Sequence, residues 1–189
     1  MLSFALGGVF MGRLYLDYGA IIIPLFVVPI LVARQAFASY VALKDSHHAT
    51  VRILIGALEA KDPYTAGHAE RVADYAVLVG RELRFTPPRL ERLRFAALMH
   101  DVGKLVVPNH LLNKPGKLTA TEFEKMKQHA NIGADLLSSV RFPYPVVPIV
   151  RHHHEAVDGS GYPDGLKGET IPYFSRLLAP VVHFCQRNA

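Results

Sequence analysis

Five histidines and one aspartate in this chain have the chemistry to hold metal ions together: His68, His100, Asp101, His129, His153 and His154. Neutral imidazole is a common ligand for borderline divalent metals, and a carboxylate can bridge two ions. A single histidine on an apolar helix face is ordinarily a satisfied core residue. Several buried together are different, because each unpartnered imidazole costs on the order of 1–3 kcal/mol. A shared metal cluster removes that cost, and Asp101 beside His100 is the carboxylate to bridge it. Lys104, four residues after His100, is near enough to add positive charge where negative charge develops. His47 and His48 read as solvated surface.

Helical periodicity supplies the elements that carry these side chains. A helix starting near Thr65 has an apolar stripe of Val72, Tyr75, Ala76, Val79 and Leu83, which His68 extends by one turn. The next helix begins after Pro88 and sets Leu90, Leu93, Ala97 and His100 on one face. A third opens with the capping box Thr119-Ala120-Thr121-Glu122, and its Met126, Gly133 and Leu136 share a face with His129. A fourth runs from Pro145 through Val146, Ile149 and Val150 to His153 and His154. The expected fold is all-α, a helical bundle whose helices aim imidazoles at a common core.

The 189 residues suit one domain with an appended segment, and the charged residues crowd after position 43. Residues 1–12 are almost wholly apolar and residues 19–33 more so, with Arg13 and Asp17 between them. Pro24 and Pro29 are tolerated better in a membrane helix than in a soluble one. The expectation is a membrane segment over residues 1–33, the second run spanning and the region cut short at its start. Arg34 and Lys44 then place the remainder in the cytoplasm, at the cytoplasmic membrane. A linker helix covers residues 34–56 and offers a surface for homodimer formation; residues 57–189 form the soluble domain. A single cysteine, Cys185, excludes an internal disulfide. The net charge of +5 favours anionic partners, but no Lys/Arg run dominates, so no nucleic-acid polymer is expected.

Two strings of residues then resemble a known family. Asp62-Pro63-Tyr64-Thr65-Ala66-Gly67-His68 followed by His100-Asp101-Val102-Gly103-Lys104 is similar to the opening of the HD-GYP domain, within the HD superfamily of metal-dependent phosphohydrolases. His153-His154-Glu155, then Asp158-Gly159-Ser160-Gly161-Tyr162-Pro163, resembles its second signature, and Gly165-Leu166-Lys167-Gly168 with Ile171-Pro172 continues it. The resemblance implies hydrolysis of cyclic di-GMP, a bacterial second messenger, to pGpG or GMP. It implies two or three transition metals, iron or manganese foremost. By position, His68, His100 and Asp101 hold the first metal; His129, His153 and His154 hold the second; Asp101 bridges them and acts in catalysis. Lys104 meets a substrate phosphate, and Gly161, Tyr162 and Pro163 shape the nucleotide pocket. Some members carry a glutamate one turn before the first histidine and hold a third metal. Tyr64 stands there in this chain, so two metals are expected.

The chain departs from the family pattern after Arg176-Leu177-Leu178-Ala179. Val182 occupies the place of an aspartate that completes the first metal site, and Pro180 is expected to disturb the helix. His183 is one residue out of register, rotated by about 100° on a helix, and so poorly placed to substitute. The domain is read as incomplete at its C-terminus, with impaired turnover. Two alternatives accompany the phosphodiesterase. One is a non-catalytic module that binds cyclic di-GMP or a protein and passes a signal along residues 35–59. The other is an HD hydrolase for a different nucleotide, which the second histidine pair and Gly161-Tyr162-Pro163 argue against.

Overall fold

A computed structural model describes residues 2–62, 67–140, 142 and 144–188, with side chains except at residues 2–6, 22, 47 and 48. The reading of His47 and His48, the helix start at Thr65 and the Tyr64 position lie outside the described residues. Among the described residues all regular structure is helical. The chain divides into two compact units, Met1–Thr50 and Val51–Ala189.

The first unit holds α1 (Leu2–Tyr18), a 3-10 turn (Gly19–Ile22) and the start of α2 (Ile23–Lys61). The apolar run at residues 19–33 is therefore divided. Gly19 ends α1 with φ +67, a left-handed conformation that glycine adopts freely. Pro24 sits in the first turn of α2, where no amide donor is needed, and the helix continues through Pro29. Phe10, Leu16, Leu25, Ile30, Val32 and Phe37 are all exposed. The helix Ile23–Lys61 is long and apolar enough to cross a membrane, with a mean hydropathy of 1.7 over its best window.

The second unit begins in the last turns of α2, where Ile55 and Leu58 are buried. It continues with α3 (His68–Glu82), α4 (Pro87–Met99), a 3-10 turn (Val102–Val106), the short α5 (Asn109–Leu112), α6 (Ala120–Ser138), α7 (Val147–Arg151) and α8 (Tyr173–Arg187). Helix α3 packs on α4 and α8, while α6 packs on the 3-10 turn and α7. Pro87 and Pro88 open α4, where their missing donors cost nothing. Thr119 and Glu122 form the expected capping box on α6, at 3.3 and 2.7 Å.

Four helices differ from the sequence expectation. On α3 the buried residues are His68, Ala69, Val72, Ala73, Ala76 and Gly80, whereas Tyr75, Val79 and Leu83 are exposed. Small residues bring α4 close; the Cβ of an alanine at position 80 would meet Leu90 at 2.8 Å. On α6, Leu137 rather than Leu136 is buried. Helix α7 is only five residues long, so His153 and His154 lie on the turn that follows it. Helix α8 runs unbroken through Pro180, which lies on its exposed face. The opposite face anchors the helix with Phe174, Leu178, Val181, Val182 and Cys185. His183 is on the exposed side and does not replace a ligand.

Candidate metal centre

Two groups of ligand atoms form in the second unit. His68, His100 and Asp101 make one; Asp101, His129, His153 and His154 make the other; within each, the ligand atoms lie within 4.8 Å of one another. Asp101 belongs to both. Its Oδ2 is 3.3 Å from His100 Nε2, and its Oδ1 is 3.4 Å from His129 Nε2. The two carboxylate oxygens thus face different groups, as a bridging ligand requires. The rings are contiguous, with centroids 5.4 Å apart for His68 and His100, 5.1 Å for His100 and His153, and 5.1 Å for His129 and His154.

Local structure fixes which nitrogen faces inward. The Nδ1 of His100 is 2.6 Å from the carbonyl of Ala97, that of His129 is 2.7 Å from Met126, and that of His153 is 2.5 Å from Val150. Each carbonyl belongs to the residue three before, so one helical turn both carries the ring and sets its tautomer. With Nδ1–H donating to the backbone, Nε2 is left as a lone pair aimed into the cluster. The Nε2 atoms of His68 and His100 and Oδ1 of Asp101 are buried without a hydrogen-bond partner. Buried polar atoms left without partners in this way fit a bound cation.

The electrostatics favour the same state. Burial, then the neighbouring His100, lowers His68 to about 4; burial, then His129, lowers His154 to about 3. Burial also lowers His129, against the pull of Asp101, and it lowers His153 together with His154. These imidazoles are neutral at neutral pH. Asp101 is ionised despite its burial, held well below the usual carboxylate range with the Lys104 ammonium beside it. The Lys104 ammonium is 2.6 Å from Asp101 Oδ2; burial pulls it down, but Asp101 outweighs that and keeps it charged. In this structure Lys104 meets Asp101, the carboxylate shared by the two groups.

A pH dependence follows for the metal-free protein. The folded histidines take up protons less readily than unfolded ones, whose value is 6.5. Their contribution to stability is complete above that value and is lost as pH falls toward about 4 and about 3. Each such imidazole changes stability by about 1.4 kcal/mol per pH unit in that window. Acid titration monitored by circular dichroism is expected to show unfolding that sets in below about pH 6, and bound metal should move it lower. A metal-free domain equally stable at pH 4.5 and pH 7 would contradict the buried neutral histidines.

The loop after the second histidine pair is held by residues whose role was not evident in the sequence. Glu155 is buried, and its carboxylate accepts from the amides of Asp164 at 2.8 Å and Leu166 at 3.0 Å. Arg151 pairs with Asp164 through two bonds of 3.0 and 2.9 Å, and His152 Nε2 lies 2.9 Å from the same carboxylate. Gly161 passes so close to the preceding segment that a Cβ would lie 2.2 Å from the Ala156 amide nitrogen. Tyr162 and Pro163, joined by a cis peptide bond, follow it. The Tyr162 ring stacks on His154 at 4.7 Å and 29°. Burial, then Asp101, raises its hydroxyl, so it stays a neutral phenol. Lys61, also unassigned by sequence, donates to the carbonyls of Lys104, Leu105 and Val107 at 3.3, 2.5 and 2.6 Å and pins the turn that carries Lys104.

The remaining sequence candidate, Val182, is 1% exposed in the apolar core that also contains Val72, one turn beyond His68 on α3. Its methyl groups give a metal nothing to bind.

The sequence profile described as "HD domain" matches residues 52–187, and the chain belongs to that family. The HD superfamily implies divalent-metal binding, and the two histidine–aspartate groups fit it. The chain is 39% identical over 148 residues to the cyclic di-GMP phosphodiesterase response regulator RpfG of Xanthomonas campestris pv. campestris, covering 77% of this chain and 39% of that protein. It is 38% identical over 141 residues to 3'3'-cGAMP-specific phosphodiesterase 3 of Vibrio cholerae, covering 74% and 31%. It is 38% identical over 149 residues to a cyclic di-GMP phosphodiesterase of Thermotoga maritima, covering 78% and 40%. The chain thus spans at most 40% of the length of these relatives. Among solved structures, its fold is similar to Bd1817, an HDG"Y"P protein of Bdellovibrio bacteriovorus, with a TM-score of 0.56 and 24% identity over 63% of this chain and 39% of that one.

Proposed function

We propose that the second unit is a metal-dependent phosphodiesterase that hydrolyses cyclic di-GMP to pGpG or GMP in bacterial signalling. The observation that carries this reading is the placement of Asp101 between two histidine groups, in a chain whose relatives are named as cyclic-dinucleotide phosphodiesterases. Two bound divalent ions, iron or manganese, would lower the pKa of water and polarise phosphate oxygens. His68 and His100 would hold one ion; His129, His153 and His154 the other; Asp101 would contact both. Lys104 keeps a buried positive charge beside Asp101, placed to offset the charge of a phosphate that binds there. Gly161, Tyr162 and Pro163 form the wall next to His154 and would face the nucleotide. A non-catalytic binding module gains no support from relatives that are named as phosphodiesterases.

With Val182 in place of an aspartate, the His68–His100–Asp101 position has one anionic ligand fewer and should bind its ion more weakly. Turnover of cyclic di-GMP by the metal-loaded full chain, with product analysis, tests the proposal. Slow turnover is expected in the natural chain and faster turnover in Val182→Asp. The metal-free variant should lose stability, because an uncompensated carboxylate in the core costs several kcal/mol. No turnover by either protein with both ions bound would refute the phosphodiesterase reading, and fast turnover by the natural chain would refute the impairment.

The proposal includes a location. Helix α2 tethers the chain to the cytoplasmic membrane with the second unit on the cytoplasmic side, supported by the hydropathy of Ile23–Lys61 and by Arg34 and Lys44 after the apolar run. Residues 35–59 would serve as the contact for a second copy. The full chain should remain with membranes after a carbonate wash; its release would contradict the tether.

A further inference from the structure

We infer that Phe123 and Lys127, on the first turns of α6, form with Tyr162 a binding subsite for a purine base of the substrate. Starting at the metal ligands, the aromatic surface continues outward without a break. His154 stacks on Tyr162 at 4.7 Å, and Phe123 meets Tyr162 edge-on with ring centroids 6.3 Å apart. Lys127 lies one turn beyond Phe123, its ammonium 5.0 Å from the Phe123 centroid and 5.6 Å from that of Tyr162. The same ammonium pairs with Glu124 at 2.7 Å. Phe123 is 45% exposed, although it stands beside a built and largely buried site.

An exposed ring has no role in the core, but it suits a flat heterocycle. Purine rings stack on aromatic side chains with little regard to base identity, and a nearby cation strengthens the contact. A cyclic dinucleotide with one phosphate at the metals places the adjoining base one ribose away from that phosphate. Phe123 and Lys127 lie on the path from His154 outward, so the base adjoining the bound phosphate would settle there. The capping box at Thr119 and Glu122 fixes the start of α6 and thereby the position of Phe123 four residues on. This inference rests on the phosphodiesterase reading and adds residues that separate a nucleotide from a bare phosphodiester.

The test is equilibrium binding of two probes to the manganese-loaded full chain: a phosphorothioate analogue of cyclic di-GMP, and inorganic phosphate, which has no base. Phe123→Ala and Phe123→Leu should each weaken the analogue by about tenfold, and Phe123→Trp should stay within about twofold of the natural chain. Lys127→Met should weaken it by about threefold. Phosphate affinity should stay within about twofold in all four variants, since none alters a metal ligand. Wild-type affinity in Phe123→Leu would show that the ring is only an apolar brace for Tyr162 and would overturn the inference. Equal weakening of both probes would overturn it as well. A natural chain that binds phosphate but not the analogue would refute the phosphodiesterase reading itself.

Discussion

Asp101→Ala is expected to strip both metal positions at once and to lower phosphodiester turnover by at least about 10³-fold. Among the described residues, no other side chain belongs to both ligand groups. His68→Ala or His154→Ala removes one neutral ligand from one group, whereas this change removes the anionic ligand from each. It also leaves the Lys104 ammonium buried with its closest counter-charge gone, since that amine sits 2.6 Å from Asp101 Oδ2. Ion release should therefore be accompanied by a fall in the Lys104 pKa, as burial is no longer outweighed by Asp101. Turnover and bound metal, measured on the same preparation, check this. A folded Asp101→Ala protein that holds two ions and keeps a tenth of the natural activity would show that the carboxylate does not bridge.

Gly103→Ala should be almost as damaging, though Gly103 binds nothing. A Cβ there would lie 1.9 Å from the carbonyl oxygen of His129 and 2.6 Å from the amide nitrogen of Gly133. Both are backbone atoms of α6, so no rotamer change gives room. The turn that carries Asp101 and Lys104 must then move away from the helix that carries His129. Overpacking of this kind costs about 3 kcal/mol or more, which lowers Tm by roughly 6–12 °C in a domain of this size. Metal affinity should fall with it, because Asp101 Oδ1 and His129 Nε2 are only 3.4 Å apart. Gly56→Ala is the control: nothing lies within 4 Å of a Cβ at that position in α2, and Ala is the better helix former. Melting curves and metal titrations of both variants decide the matter. A Gly103→Ala protein with unchanged Tm would contradict the close approach.

The all-helical architecture was legible because the apolar spacing and the proline positions delimit helices without help from tertiary structure. The six ligand candidates were legible for a different reason: histidine and aspartate announce their chemistry by type. What stayed hidden is carried by backbone or by packing. The carbonyls of Ala97, Met126 and Val150 set the tautomers of His100, His129 and His153, and no residue type encodes a carbonyl. Gly103 reads as an ordinary glycine until α6 lies against it. Lys61 looks like a solvated helix-terminal lysine, yet it binds three carbonyls more than 40 residues away. Part of the inner face of α3 was read one step out because apolar size suggested Tyr75 and Val79. Val72 and Ala76 are buried as expected, but close contact with α4 selects Ala73 and Gly80 in place of Tyr75 and Val79. Pro180 was expected to disturb α8, but it lies on the exposed face and the helix continues through it, anchored by the buried opposite face. The link from Glu155 to the amides of Asp164 and Leu166 has a partial signal in the acid that follows the histidine pair.

Counting the ions bound per chain tests the account most directly. The full protein, purified without chelator and reconstituted with iron or manganese, is dialysed and analysed for metal against protein concentration. Asp101 between two histidine groups predicts close to two ions per chain, the more loosely held one at His68, His100 and Asp101. A value below half an ion per chain in folded protein would contradict the metal centre.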